Sequence, residues 1–196
     1  MDILLLCTAN QCRSPMAEVL LRHRLEHAGV SATVASAGLY RGGSPATSHG
    51  VQTMASRGLD LTAHRSQQIS TDLVRSADLI VGMTRAHIRE VAVMDPSALS
   101  RSFTLKELVR AGGLVGGRGA GETIPQWLAR VGADRRREDL VGVGHDPGLD
   151  VEDPVGKGRA EYEETADELD VLLTSLVDLA WPPGVRDDAA VREGTA

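Results

Sequence analysis

The sequence predicts an α/β domain of three layers, α/β/α, around a central four-stranded parallel sheet. Three observations predict it. Short, wholly apolar runs recur, as strands buried on both faces require. Segments with helical apolar spacing alternate with these runs. The 196 residues are enough for one domain with a sizeable core and too few to force two.

Taken in order, residues 3–6 (Ile-Leu-Leu-Leu) read as the first buried strand. Residues 7–14 are small or polar. Ser14-Pro15 then reads as a helix N-cap followed by proline at the first helical position. Met16, Val19, Leu20 and Leu21 give that helix an apolar stripe running to about residue 28. Residues 32–37 are a second strand candidate, ending at Gly38. After a Gly/Ser/Pro turn region, a helix is expected over 47–57, stopped by Gly58. A short helix at 72–76 precedes a third strand at 77–83, which carries Leu79, Ile80 and Val81. A helix at 85–93, a short strand at 103–105 and a helix starting at Leu105 follow. Residues 111–152 are less regular and rich in glycine, with one amphipathic helix at 123–131 around Trp127. The final helix covers 161–179, with Leu169, Leu172, Leu173, Leu176 and Leu179 spaced to face a core; Pro182-Pro183 ends it. The domain thus spans 1–181, and residues 182–196 read as a disordered polar tail.

Composition narrows the function. Apolar residues make up 42% and charged residues 24%, with a net charge of −6. Such a surface attracts neither nucleic acid nor anionic membranes. The early apolar run 3–7 is far shorter than the roughly 20 residues of a membrane helix, and it lacks the basic flank of a signal peptide. A cytoplasmic protein is expected. Its two cysteines, Cys7 and Cys12, are too few for a disulfide framework and should be reduced there. The six histidines form no ligand pattern with cysteine or carboxylates, so neither a metal nor a cofactor is expected. The glycine cluster at 116–121 lacks the strand and helix of a nucleotide loop. The basic run Arg135, Arg136 and Arg137 sits among acidic residues and reads as a solvated face.

One segment carries chemistry: Cys7-Thr8-Ala9-Asn10-Gln11-Cys12-Arg13-Ser14-Pro15, between a buried strand and a helix start. Backbone N–H groups of such a loop, aided by the helix dipole, can bind a dianion. Arg13 can grip two phosphate oxygens in a bidentate fork. The same positive field favours an ionised sulfur at Cys7, and Ser14 can donate a hydrogen bond to it. The chemistry this suits is in-line attack by Cys7 on phosphorus, giving a phosphocysteine. A carboxylate from outside the loop must then serve as acid and base. By itself, cysteine and arginine six positions apart also arise by chance, and a buried cysteine is usually a small hydrophobe.

The stretch CTANQCRSPMAE, from Cys7 to Glu18, resembles the signature of the low-molecular-weight protein tyrosine phosphatases. Ser36-Ala37-Gly38, His64-Arg65-Ser66, the strand at 77–83 and Asp153-Pro154-Val155-Gly156, followed by Tyr162, resemble further family segments in the same order. The resemblance implies the fold of that family and a phosphatase acting on phosphorylated proteins. It implies Cys7 as nucleophile, Arg13 as phosphate ligand and Asp153 as general acid. Thr8, Ala9, Asn10, Gln11, Cys12 and Ser14 would line the substrate site, with Tyr40 beside it. Asn10 would hold an unusual backbone conformation, supported by Ser14, Ser36 and His64. Cys12 would either form a reversible, protective disulfide with Cys7 or simply pack. A monomer is expected.

Asp146-Pro147-Gly148 is a rival Asp-Pro pair, read as a turn. The departures from the family bear on substrate. Aromatics near the site reduce to Tyr40. Gln11 matches neither the tyrosine-directed nor the arginine-directed members, whereas Met83-Thr84-Arg85-Ala86-His87 and Phe103-Thr104-Leu105-Lys106-Glu107 resemble the arginine-directed branch. The choice stays open between phosphotyrosine and phosphoarginine. Residues 111–152 exceed the corresponding family segment; they read either as a passive insertion or as a flap in which Trp127 supplies an apolar wall. A thiol-dependent arsenate reductase and a catalytically silent phosphoprotein-binding module are the remaining alternatives.

Overall fold

The computed structural model describes residues 1–136 and 145–185. In chain order the elements are β1 (Asp2–Cys7), α1 (Arg13–His27), β2 (Thr33–Gly38), α2 (Ser48–Ala55), α3 (Thr71–Ser76), β3 (Leu79–Gly82) and α4 (Arg85–Met94). A 3-10 turn at Pro96–Arg101 leads to β4 (Ser102–Thr104), α5 (Leu105–Val115), α6 (Ile124–Val131) and α7 (Arg159–Ala180). The strands form one parallel sheet in the order β2-β1-β3-β4. The chain steps from β1 to β2 on one side, then crosses to β3 on the other. The carboxyl end of β1 therefore opens at a topological switch point, where open α/β sheets bind ligands.

Strand alternation divides the core into two. Ile3, Leu5 and Cys7 point to the face covered by α1, α2, α5, α6 and α7. Leu4 and Leu6 point to the opposite face, against α3, α4 and the 3-10 turn. Cys7 thus ends a strand buried from Ile3 onward, on the side where α1 starts. That helix begins at Arg13 with Cys12 as its N-cap, and no side chain caps it. Ser14 is therefore not the N-cap its Ser-Pro pairing suggested; it sits inside the first turn, where its hydroxyl is free for another partner.

Trp127 is the largest fully buried side chain. Its ring lies against Gly112 of α5, where an added Cβ would come within 3.1 Å of it. Its Nε1 donates to Gly116 O at 3.1 Å. The flap reading of Trp127 is thus corrected: four-residue apolar spacing on α6 (Ile124, Trp127, Leu128, Val131) turns the ring into the core. Buried Arg118 clasps the same region, donating through Nε to Ala180 O at 2.6 Å and through Nη1 to Glu122 O at 3.0 Å. Arg135 is corrected too: its guanidinium lies 4.4 Å over the Phe103 ring and pairs with Glu107, while Arg136 is exposed and Arg137 lies outside the described residues. The expected tail opens with a turn in which Val185 N–H bonds Pro182 O; residues 186–196 lie outside the described residues.

Trp127→Ala should cost about 3–5 kcal/mol, from lost burial and the cavity left behind. Urea denaturation measures this; a loss under about 1 kcal/mol would contradict the packing.

Candidate active site

The loop from Cys7 to Arg13 is held by what lies beneath and beside it. Gly38 ends β2, and a Cβ there would stand 2.7 Å from Asn10 N and 2.8 Å from Ala9 C. Only glycine lets the loop backbone cross so closely. Leu39 N and Tyr40 N donate to Thr8 O at 2.8 and 3.3 Å, and Thr47 N donates to Gln11 O at 2.8 Å. Among the described residues, the N–H groups of Gln11, Cys12, Arg13 and Ser14 find no backbone or side-chain acceptor. They sit at the uncapped start of α1, the setting in which helices bind anions.

Asn10 organises the loop. It is fully buried and has φ 54°, the only positive φ among described non-glycine residues. Its Oδ1 accepts from Gln67 N at 2.9 Å. Its Nδ2 donates to Ser36 Oγ at 2.7 Å and Ser14 Oγ at 3.0 Å. His64 Nε2 donates to its carbonyl at 2.7 Å. Because both hydroxyls accept from Asn10, their own protons point outward. Ser36 donates to Glu18 Oε2 at 2.6 Å, and Ser14 donates to Cys7 Sγ at 3.0 Å. Asn10 N also donates to Cys7 Sγ, at 3.2 Å. Two donors thus converge on one sulfur.

Arg13 is 5% exposed at its side chain and points across the loop mouth. Its Nη1 donates to Val151 O at 3.0 Å; its Nη2 donates to Thr8 Oγ1 at 3.3 Å and Asp153 Oδ2 at 2.5 Å. Val151 is fixed in turn, its N–H bonding Met83 O at the end of β3. Buried Asp150 anchors the approach, accepting from Arg85 N at 2.8 Å and Asp146 N at 2.9 Å. Asp153 is 43% exposed at its side chain, and its Oδ1 accepts from Val155 N. Of the two Asp-Pro carboxylates, the fold brings Asp153 to the loop. Asp146 instead closes a turn, accepting from Gly148 N at 2.9 Å. Tyr40 stands 63% exposed next to the loop.

Cys7 and Cys12 are both buried and free. Burial pushes the Cys12 thiol up to about 12, against a smaller lowering by its hydrogen bond from Tyr162. Sequence reasoning gave no site role to Glu18, Gln67, Tyr162 or His87. Glu18 had a findable signal, since it lies four residues after Ser14 on the same face of α1. Gln67 contributes a backbone N–H, which no side-chain pattern reveals. His87 is 1% exposed. Its Nδ1 accepts from Thr84 N at 2.9 Å, closing a capping box on α4, and its Nε2 lies 3.2 Å from Thr8 Oγ1.

Burial, helped by the charges of Arg13 and Arg89, pushes His87 down from 6.5 to about 3. Above pH 6.5 the ring is neutral in folded and unfolded chains alike. As pH falls from 6.5 towards 3, the unfolded chain gains a proton that the folded chain refuses, so stability falls. His87→Phe should flatten that slope in urea denaturation run at several pH values; an unchanged slope would contradict it.

Residues 2–113 match the family model described as low molecular weight phosphotyrosine protein phosphatase. The protein-arginine-phosphatase of Bacillus subtilis is 32% identical over 177 residues, covering 90% of this chain and 94% of that protein. The protein named "Probable low molecular weight protein-tyrosine-phosphatase EpsP" of Ralstonia solanacearum is 43% identical over 106 residues, covering 54% of this chain and 71% of that protein. Among solved structures, a YwlE arginine phosphatase mutant with a phosphorylated active site serine is 31% identical with a TM-score of 0.69, over 91% of this chain and 94% of that one. This chain belongs to the low molecular weight phosphotyrosine protein phosphatase family.

Proposed function

We propose that this chain dephosphorylates proteins through a phosphocysteine at Cys7, and that phosphotyrosine is its substrate class. The observation that carries the reading is the Cys7 sulfur, which accepts from both Ser14 Oγ and Asn10 N, with the Arg13 guanidinium reaching the hydroxyl of the next residue, Thr8. In the first step Sγ bonds to phosphorus and the phosphorus–oxygen ester bond breaks. Asp153 gives its proton to the leaving oxygen. Arg13 and the loop N–H groups hold the equatorial oxygens. In the second step Asp153 takes a proton from water, the water oxygen bonds to phosphorus, and the thiolate leaves with Ser14 donating to it. A phosphate that engages Arg13 competes with Asp153 for the guanidinium, which releases the carboxylate to work on the leaving atom.

The exposed ring of Tyr40 supports an aromatic substrate. A specific observation favours a second reading, phosphoarginine: the protein-arginine-phosphatase of Bacillus subtilis aligns with 90% of this chain, the EpsP protein of Ralstonia solanacearum with 54%. In either case we assign residues 1–181 to one phosphatase domain, with 111–152 as an insertion, since one core cluster runs from Ile3 to Trp181. Every named group comes from one chain, so a monomer suffices. The two free thiols suit a cytoplasmic setting, and no described helix is long and apolar enough to cross a membrane.

Rapid-mixing assays with p-nitrophenyl phosphate should give a burst of nitrophenol, absent in Cys7→Ser. Asp153→Asn should lower kcat on phosphopeptides by about 100-fold or more. Phosphotyrosine peptides should be cleaved faster than phosphoarginine peptides; the reverse order would replace the first substrate class with the second. No burst from the folded wild-type chain would sink the enzyme reading.

A further inference from the structure

Arg13 is steered by a buried hydrogen-bond relay that begins outside the loop. Thr84 N donates to His87 Nδ1 at 2.9 Å, and a backbone N–H can only donate. Nδ1 is thereby the acceptor of a neutral ring, and the ring proton sits on Nε2. Nε2 therefore donates to Thr8 Oγ1 at 3.2 Å. Thr8 Oγ1 also accepts from Arg13 Nη2 at 3.3 Å. A hydroxyl has two lone pairs and one proton. With both lone pairs taken, the proton of Thr8 must be donated elsewhere, and among the described residues it has no acceptor. It lies beside the guanidinium that would hold the phosphoryl oxygens.

We propose that His87 is a positioning residue for phosphoryl transfer: acting through Thr8, it fixes the Arg13 guanidinium and turns the Thr8 hydroxyl proton towards the bound oxyanion. This rests on the phosphatase reading above. The ring is suited to the task because burial and the nearby charges of Arg13 and Arg89 keep it uncharged near neutral pH. A cationic ring would lose its Nδ1 acceptor, break the cap on α4 and repel Arg13. Sequence supplies the geometry. Thr84 and His87 are three apart at the start of α4, so the capping box aims Nε2 back across β3 at the residue after Cys7. Gly82 keeps the path open, since a Cβ there would come within 3.1 Å of His87 Cβ.

A cap alone would make His87 a matter of stability; the relay makes it a matter of substrate. The two are separated by a double-mutant cycle of Thr8→Val, His87→Phe and the pair, with Thr8→Ser as the conservative variant. Thr8→Val should lower kcat/KM by about tenfold, as expected for losing a hydrogen bond to a charged group. Thr8→Ser should restore most of it. His87→Phe should lose a similar factor, and the double variant should lose no more than either single one. Additive losses, or a Thr8→Val enzyme as active as wild type, would overturn the relay. If His87→Phe does not fold, the Thr8→Val and Thr8→Ser pair alone decides whether the hydroxyl acts on substrate. Calorimetric affinity for inorganic phosphate on the same proteins should follow the same pattern. A wild type that binds phosphate in this pattern without turnover sinks the phosphatase reading but not the relay. Full turnover with an additive cycle does the reverse.

Discussion

Everything at the mouth of β1 depends on one buried amide. Asn10 occupies a left-handed backbone conformation and is fully buried, so its polar atoms need hydrogen-bond partners. Its partners come from three separate segments: Ser14 on α1, Ser36 on β2, and Gln67 with His64 on the loop after α2. A network this closed has few arrangements that satisfy it. The chosen arrangement sets the direction of two hydroxyl protons, one of which ends on the Cys7 sulfur. The sheet makes this possible: Cys7 is the last residue of a strand paired on both sides, so the sulfur cannot drift while the loop above it is shaped.

The second half of the site is built from the far end of the chain. The segment from Asp146 to Val155 is tied to the carboxyl end of β3 through Val151 N and to the start of α4 through Asp150. These bonds bring a carbonyl and a carboxylate to the same guanidinium. The contact is uneven in exposure, with Arg13 buried and Asp153 nearly half open. That asymmetry suits a group that must exchange one anion for another while its partner reaches a leaving group in the opening. The α7 helix and its core of leucines hold the other end of this segment, so the acid loop is a short span between two fixed points.

Much of this was legible in the residues. The apolar run at 3–6 and the segment 77–83 with Leu79, Ile80 and Val81 read as strands because they are too short for buried helices, and the Cys7-to-Ser14 spacing places sulfur and guanidinium on one loop. Gly38 was legible as a strand end, but its real constraint, the loop backbone lying under 3 Å from where a Cβ would be, needs the third dimension. The flap alternative for Trp127 stood open because an aromatic in a glycine-rich stretch looks the same whether it faces a ligand or the core; only the packing of α6 on α5 separates the two. Arg135 was misread for a related reason. A basic run among acidic residues looks solvated until Phe103 and Glu107 come beside it. Val151 reaches Arg13, and Gln67 reaches Asn10, through backbone atoms, which carry no residue-type signal. His87 lay in a quoted motif, yet its reach to Thr8 depends on the register of β3 beside β1.

The central claim is that Asn10 shapes an anion cradle over the Cys7 sulfur before any substrate arrives. Its direct test is the alkylation of Cys7 by iodoacetate, followed by peptide mass spectrometry, with and without inorganic phosphate, in wild type and Asn10→Ala. Phosphate should protect Cys7 in the wild type and fail to protect it in the folded variant. Equal protection in both would contradict the account.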